Sequence, residues 1–231
     1  MLLAALTTAA LAFTVNQTDD GRELRWIELP VLVAYDGAEA PANLTEAQQL
    51  EALQGAMEAW SHLDESALAL EFGEPEPFDA QEAGSVSWER GWQGNAEAVA
   101  RITSWATESG VLLGYEIVLN ADLDWSTDGA EGAWDLQGAL THELGHAIGL
   151  GHNDSDDEAT MFPTAREGEL LKRDLAWDDE DAARYLYPVG GTAAALLPAL
   201  GCTTSPMNPT YLVALLPLAL LRRRSAAAAT R

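Results

Sequence analysis

The alternation of apolar and polar residues divides the middle of the chain into short strands and one long helix. Residues 25–35 alternate well enough for a first strand, and a turn is predicted at residues 36–37. Apolar residues three or four apart then predict a helix from Thr45 to about His62, where Thr45 and Gln48 form a capping box. Its predicted buried side comprises Leu50, Leu53, Met57 and Trp60. Further apolar runs predict strands at residues 68–72, 85–92, 98–106 and 111–120.

A second helix, predicted at residues 136–150 with Asp135 as its N-cap, has two chemically different sides. At about 100° per residue, His142 and His146 lie one turn apart on the same face. Apolar residues occupy another face, which we expect to contact the core. These apolar residues are Leu136, Leu140, Leu144, Ala147 and Ile148. A last helix is predicted at residues 179–186, with Asp178 as its cap and with Ala182, Tyr185 and Leu186 turned inward.

The polar side of this second helix is typical of a catalytic metal site. His142 and His146 can bind one ion, and Gly149 can end the helix in a positive-φ turn that brings His152 to the same ion. Three neutral imidazoles would bind zinc and leave one coordination position open, which is the arrangement of catalytic sites. Glu143 projects away from the metal but could reach a water bound to it, as a general base does. The implied reaction is peptide hydrolysis.

The motif H-E-x-x-H-x-x-G-x-x-H at residues 142–152 resembles that of the metzincin clan of metallopeptidases. Met161 lies nine residues beyond the last histidine and resembles the methionine of that clan's Met-turn, here residues 159–163. Within the clan, the residues around the three histidines and the Met-Phe-Pro sequence are most similar to the matrixin family. Matrixins usually have Ser or Thr after the third histidine, and this chain departs from that pattern with Asn153.

The resemblance implies a zinc-dependent endopeptidase domain at residues 22–188 with an α+β fold. The implied architecture is a twisted, mixed five-stranded sheet with three helices, in which the active-site helix is followed by the Met-turn. His142, His146 and His152 would be the zinc ligands, Glu143 the general base and acid, and Met161 the floor of the site. By the same analogy, residues 98–106 would form a sheet edge that pairs with extended substrate, although an ordinary sheet strand explains them equally well. Residues 163–173 would line the specificity pocket.

We predict one zinc ion per chain. His62, the only histidine outside the motif, lies at the end of a predicted helix and suits a surface or helix-dipole role better than ligation. Matrixins commonly bind a second, structural zinc through further histidines, which this chain lacks. Residues 120–125 resemble the segment with which matrixins bind Ca2+. A solvated acidic turn accounts for the same residues, so they are not assigned to a metal.

The composition excludes several function classes. Asp and Glu total 37 against 12 Lys and Arg, a formal net charge of −25, which argues against nucleic acid as a partner because phosphate contacts require a basic patch. Solvation explains this acidity without a specific cationic substrate. Cys202 is the only cysteine, so no internal disulfide can form, and a cysteine-switch propeptide of the matrixin kind is absent from this sequence.

Both ends of the chain suggest export. Residues 1–12 are apolar and end in an A-x-A cleavage pattern, which predicts a signal peptide, although a mis-chosen start codon or a plain apolar strand remains an alternative. Residues 189–201 would be a linker. Residues 202–231 combine Cys202, a short apolar segment and an arginine cluster, and resemble bacterial sorting tags of the MYXO-CTERM kind. That resemblance implies a sorting protease acting near Cys202 and a protein on the cell envelope or released from it.

Two other functions fit the same residues. The chain could be a non-catalytic, zinc-stabilised surface adhesion or peptide-binding module, although the intact Glu143 argues against this. It could also be an amidase that acts on cell-wall peptides, using the same metal chemistry on a different bond. We expect a monomer that acts on a protein or peptide substrate, and the motifs do not specify which substrate.

Overall fold

The computed structural model describes residues 13–73, 84–95 and 98–191. The predicted signal peptide at residues 1–12 and the sorting tag at residues 202–231 therefore lie outside the described residues, as does all but the first part of the linker. Within the described ranges, no helix combines the length and the apolar character that crossing a membrane requires.

A mixed five-stranded sheet forms one layer of the domain, as the sequence predicted. Its strands lie in the order β2-β1-β3-β5-β4. The first four of these run parallel to their neighbours, and β4 is antiparallel to β5 at one edge. The bounds are β1 Val31–Tyr35, β2 Leu70–Phe72, β3 Gly84–Glu89, β4 Ala100–Ala106 and β5 Leu112–Asn120. Two short strands, β6 Trp125–Ser126 and β7 Trp134–Asp135, pair with each other before the second helix.

Three α-helices complete the described fold, again as predicted: α1 Glu46–Ser61, α2 Leu136–Ala147 and α3 Trp177–Leu186. The capping box of Thr45 and Gln48 is present at the start of α1. The α1 and α2 helices pack together, and the buried Trp60 indole on α1 donates a hydrogen bond to the Thr141 carbonyl of α2 at 2.8 Å. Ten of the twelve residues of α2 are buried, including both of its histidines and Glu143.

The α2 helix is shorter than predicted, ending at Ala147 rather than at residue 150. Gly149 has φ of +103°, which ends the helical geometry, and a Cβ there would lie 2.2 Å from the Leu24 carbonyl oxygen. The last carbonyls of the helix are satisfied by distant side chains, because the Trp26 indole donates to Ala147 O and the Tyr187 hydroxyl to Ile148 O. The turn that the sequence assigned to Gly149 is therefore present.

The predicted starts of the first strand and of the last helix were wrong, and so was the predicted cap of that helix. The first strand begins only at Val31, since Pro30 has no N–H to donate to a neighbouring strand. The last helix begins at Trp177 with Ala176 as its N-cap, because the Asp179 carboxylate accepts a hydrogen bond from the Ala176 N–H. Asp178 is thus inside the first turn and is not the cap.

Two side chains that were predicted to face the core do not. Leu50 is 37% exposed, and the buried face of α1 instead includes Gln49, Ala52 and Ala56. Tyr185 is 43% exposed and donates a hydrogen bond to Glu23. In both cases small or polar residues nearby in sequence fill the interior positions, a choice that helical spacing alone does not resolve.

Candidate active site

The three histidines of the motif converge at the C-terminal half of α2. One ring nitrogen from each of His142, His146 and His152 lies within 4.8 Å of the other two. The Nε2 atoms of His146 and His152 are 3.1 Å apart. In the described parts of the chain, this is the one group of three or more potential ligands close enough to share an ion. His62 lies elsewhere, at the C-cap of α1.

Backbone carbonyls orient the first two rings. Nδ1 of His142 lies 2.6 Å from the Thr160 carbonyl oxygen, and Nδ1 of His146 lies 2.8 Å from that of Leu150. A carbonyl can only accept, so each Nδ1 carries the proton and each Nε2 keeps its lone pair for a metal. This tautomer is the one that metal-binding histidines adopt when a second group holds their other nitrogen.

Burial keeps these imidazoles neutral. Removal from water lowers the pKa of His142 well below its usual range, with Lys172 and His146 lowering it further. Burial also lowers the pKa of His146, to about 3. The pKa of His152 is lowered by burial as well, although the Asp154 carboxylate opposes that shift. Neutral imidazole is the form that binds zinc, so the donor set fits this ion near neutral pH.

Glu143 is the most unusual carboxylate of the site. It is 1% exposed, and its Oε2 is buried with no hydrogen-bond partner among the described residues. Burial raises the pKa of Glu143 to about 8, against the opposing effect of the Lys172 ammonium. A buried carboxylate with an unused acceptor next to a metal-binding cluster is typical of a catalytic acid or base.

Met161 packs against α2 at Gly145, between His142 and His146 in sequence. It is 2% exposed and approaches α2 at Gly145, where an added Cβ would lie 2.3 Å from the Met161 sulfur. A glycine at this position of the helix is therefore what allows the Met-turn to pack so close to the histidines. The role of Met161 as the floor of a metal site stays a prediction.

A small cavity of about 20 Å³ lies beside His142 and Glu143. The loop after the Met-turn forms one wall of it, through Ala165, Arg166, Glu169 and Lys172. The opposite walls come from α2 and from Val99, which immediately precedes β4. Residues 163–173, which the sequence predicted to line a specificity pocket, thus border a cavity next to the site.

Asn153 stands where matrixins usually have Ser or Thr, and both its backbone and its side chain make hydrogen bonds. Its backbone N–H donates to Met161 O at 2.9 Å, and its side-chain amide donates to the Asp178 carboxylate. Asn153 therefore connects the segment carrying His152 both to the Met-turn and to α3. The contact partner of this side chain could not be predicted from the motif.

In the segment at residues 120–125, which resembles a Ca2+-binding segment, two polar side chains accept hydrogen bonds from the protein backbone. The Asp122 carboxylate accepts hydrogen bonds from the N–H groups of Gly91 and Trp92, which lowers the pKa of Asp122. The Asn120 side chain accepts a bond from Asp122 N–H at 3.0 Å. These bonds connect the segment to the loop after β3, and Ca2+ binding there stays a prediction.

Sequence reasoning missed two residues that hold the carbonyls bound to histidine. Lys172 donates to Thr160 O, and the Asn16 side chain donates to Leu150 O, both at 2.8 Å. Lys172 did carry a signal in the sequence, because it is the only lysine among 231 residues. Asn16 carried none, since it lies 134 positions from its partner.

Comparison with protein families supports the resemblance. The family model described as peptidase M10, matrixin, matches residues 26–188. This range begins before β1 and ends after α3, so it includes the histidine cluster, Glu143 and the Met-turn.

Individual relatives match over shorter stretches. The chain is 36% identical over 99 residues to metalloendoproteinase 2-MMP of Arabidopsis thaliana, a match that covers 40% of this chain and 24% of the relative. It is 38% identical over 78 residues to human matrilysin, covering 34% of this chain and 28% of the relative. Metalloendoproteinase 1 of Glycine max is 44% identical over 57 residues, covering 25% and 18%. The chain thus spans about a quarter of the length of the curated relatives that it matches.

Proposed function

This chain belongs to the matrixin family, and from that premise we propose that it is a zinc-dependent endopeptidase. His142, His146 and His152 would hold the single catalytic ion through their Nε2 atoms. Glu143 would act as general base and then as general acid. The relatives named metalloendoproteinase support this class of reaction, and the geometry of the site supports the role of each residue.

The observation that carries the proposal is the buried, unpartnered carboxylate of Glu143 beside the histidine cluster. Leaving such an oxygen without a hydrogen bond is unfavourable by about 1–3 kcal/mol, so a purely structural site would not retain it without another use. A non-catalytic adhesion module needs the three histidines for zinc but has no use for this acceptor. We therefore favour the enzyme over that alternative.

The chain's own residues account for proton transfer and substrate placement. Zinc, when bound, supplies a Lewis acid that polarises the scissile carbonyl and makes water more acidic. Glu143 Oε2 takes a proton from the attacking water and returns it to the leaving amine nitrogen. Burial raises the pKa of Glu143 in the metal-free protein, and a zinc ion held by the three histidines would lower that pKa toward the carboxylate form that accepts the water proton.

We further propose that extended peptide pairs with β4. This strand is the edge of the sheet, and the described residues give it one neighbour, β5. Its free edge can add one more strand through main-chain hydrogen bonds. Proline substitutions at residues 101–104 should weaken peptide affinity while zinc binding persists. Unchanged affinity in a folded variant would exclude this binding mode.

We also propose that the protein is exported and that its tail is processed near Cys202 before display on the envelope or release. The apolar residues 1–12 and the tripartite pattern of residues 202–231 support this proposal from sequence alone. Intact-mass measurement of the protein from its native host tests it. We expect a C-terminus near Cys202, and a chain that still ends at Arg231 would refute processing.

The activity is tested by incubating the full chain with a mixed library of quenched peptides. We expect internal cleavage that a zinc chelator abolishes and added zinc restores. The Glu143→Gln variant should bind zinc but lose at least about 100-fold in kcat/KM, which is the low end of general acid–base contributions. A variant as active as wild type would refute the assigned role of Glu143. Wild type that binds zinc and cleaves only cell-wall peptides would favour the amidase.

A further inference from the structure

Lys172 is the only lysine of the chain. It is buried beside the histidine cluster, with 5% of its surface exposed. It lies in a 3₁₀ turn, Leu171–Arg173, that follows the Met-turn. The next residue, Arg173, pairs with the N-cap Asp135 at 2.5 Å and donates to the Thr127 carbonyl at 2.7 Å. These contacts attach the 3₁₀ turn to the start of α2, and Lys172 is directed inward as a result.

The Lys172 ammonium donates to three backbone carbonyls of the Met-turn. Nζ lies 2.5 Å from Phe162 O, 2.8 Å from Thr160 O and 3.4 Å from Ala159 O. An ammonium ion has three donors, so these carbonyls use all of them and leave none for a substrate. Arginine presents its donors in a planar fork, which suits three separated carbonyls poorly. The other eleven of the twelve Lys and Arg residues of this protein are arginines.

The backbone N–H groups of the Met-turn are held by a side-chain carboxylate. The Asp179 carboxylate accepts hydrogen bonds from Thr160 N–H at 2.7 Å and from Met161 N–H at 3.1 Å. Asp179 is 2% exposed. The N–H groups of the Met-turn are thus fixed from α3 and its C=O groups from the 3₁₀ turn, so that its peptide planes have little freedom to rotate.

One of these fixed carbonyls orients a zinc ligand. Thr160 O accepts from Lys172 Nζ and also from His142 Nδ1 at 2.6 Å. The direction of the Thr160 carbonyl determines where the His142 ring points and which ring nitrogen keeps its lone pair. Lys172 reaches the metal-binding ring only through this carbonyl, and therefore contributes by positioning rather than by contact.

We infer that Lys172 is a positioning residue for zinc binding: its ammonium holds the Thr160 carbonyl in the direction that orients His142. This inference rests on the zinc site proposed above. It goes beyond that site because the resemblance placed residues 163–173 only along a specificity pocket and gave no residue of the 3₁₀ turn a role in metal binding. The alternative is that Lys172 only stabilises the fold and has no effect on zinc affinity.

The direction in which the zinc affinity changes distinguishes a positioning role of Lys172 from the purely electrostatic effect of its charge on the zinc ion. Removing a cation near a divalent ion lowers electrostatic repulsion and would by itself tighten zinc binding. Loss of positioning acts in the opposite direction: losing a direct hydrogen-bond partner of a metal-binding histidine typically weakens metal binding 10- to 100-fold, and Lys172 acts one contact further out, so we expect the low end of that range. A weaker affinity after charge removal therefore identifies positioning.

The experiment measures the zinc dissociation constant of the full chain by chelator competition, at a temperature where circular dichroism shows each protein folded. We expect Lys172→Met to bind zinc about 10-fold more weakly than wild type. Lys172→Gln removes the same charge but keeps N–H donors, so its affinity should lie between the two. Folded variants that bind zinc as tightly as wild type, or more tightly, would overturn the inference. Wild type that binds no zinc would instead refute the proposed function.

Chemical rescue keeps the test valid if Lys172→Met does not fold. Lys172→Cys, in a Cys202→Ala background, has one thiol, which bromoethylamine converts in denaturant into a close lysine analogue before refolding. Alkylation with propyl bromide gives a neutral side chain of the same length. The positioning role requires the aminoethylated protein to regain wild-type zinc affinity within about threefold, whereas the propylated protein does not. Equal affinities for the two alkylated proteins would contradict it.

Discussion

The first two histidines of the site are oriented in the same way but by different parts of the molecule. His142 donates to Thr160 O, which a buried lysine holds, and His146 donates to Leu150 O, which the half-buried Asn16 holds. The lysine lies within the range that the matrixin family model matches, and Asn16 lies before it. One support is therefore a buried charge from within the family domain, and the other is a neutral amide from an additional N-terminal segment.

The difference indicates how strongly each ligand is fixed. Lys172 serves three carbonyls of one turn, and its loss would leave that turn held mainly through the N–H groups that donate to Asp179. Asn16 serves one carbonyl, and the surrounding backbone is also held by Asn16 N–H to Gly149 O and Gly151 N–H to Thr14 O, at 2.8 and 2.9 Å. Charged hydrogen bonds are roughly twice as strong as neutral ones. We expect larger effects at Lys172 throughout.

The largest expected effect is on folding. Lys172→Met removes the three ammonium hydrogen bonds to Met-turn carbonyls, although Thr160 O keeps the His142 ring as a donor and Ala159 O keeps the Phe162 N–H, and this should lower the free energy of unfolding by about 3 kcal/mol. Urea denaturation of metal-free protein measures this. Arg22→Met, which breaks an exposed pair with Asp20, is the matched control and should change little. Equal stability of the Lys172→Met protein and wild type would show that the Met-turn does not depend on its ammonium.

A second prediction concerns the pH dependence of stability and depends on Glu143. Neither Lys172 nor Asn16 donates a hydrogen bond to this carboxylate. Burial raises the pKa of Glu143 from 4.5 to about 8, so between these values the folded chain keeps a proton that the unfolded chain has lost. Rising pH then favours unfolding. Metal-free wild type should lose about 2 kcal/mol relative to Glu143→Gln between pH 6 and 8.

This comparison cancels the histidines, whose lowered pKa values affect wild type and Glu143→Gln alike. Stability is measured by urea denaturation in chelator at several pH values. A constant difference between the two proteins would mean that Glu143 ionises in the folded state as readily as in the unfolded chain.

The smallest expected effect is at the neutral support. Asn16→Ala removes one hydrogen bond to Leu150 O and should lower the free energy of unfolding by about 1 kcal/mol. Zinc affinity should fall by less than in Lys172→Met, because the adjoining backbone bonds persist. Chelator competition on both variants in parallel makes the comparison. A larger loss for Asn16→Ala would reverse the ranking of the two supports.

Much of the site was predictable from sequence because it is local. Helical spacing alone brings His142 and His146 to one face, and Gly149 provides the positive φ that turns the chain toward His152. The mixed sheet with three helices followed from the resemblance, and the family match and the structure confirm it. Short-range geometry of this kind needs no knowledge of distant contacts.

The parts that could not be predicted depend on contacts between distant residues. Lys172 faces inward because Arg173 pairs with Asp135, 38 positions earlier. The sequence assigned a cap to Asp178, whereas Asn153 binds that carboxylate and Asp179 accepts the capping bond. Two adjacent acids in one turn have equal local preference, and only the packed partners decide between them.

The most direct test of the zinc centre is a titration of metal-free full-length protein with zinc. The rate of peptide hydrolysis is measured after each addition. We expect the rate to rise linearly and to stop rising at one zinc per chain, since the described residues contain one cluster of three ligands. A rate that does not depend on zinc, or that requires two or more ions per chain, would contradict the single catalytic centre built on His142, His146 and His152.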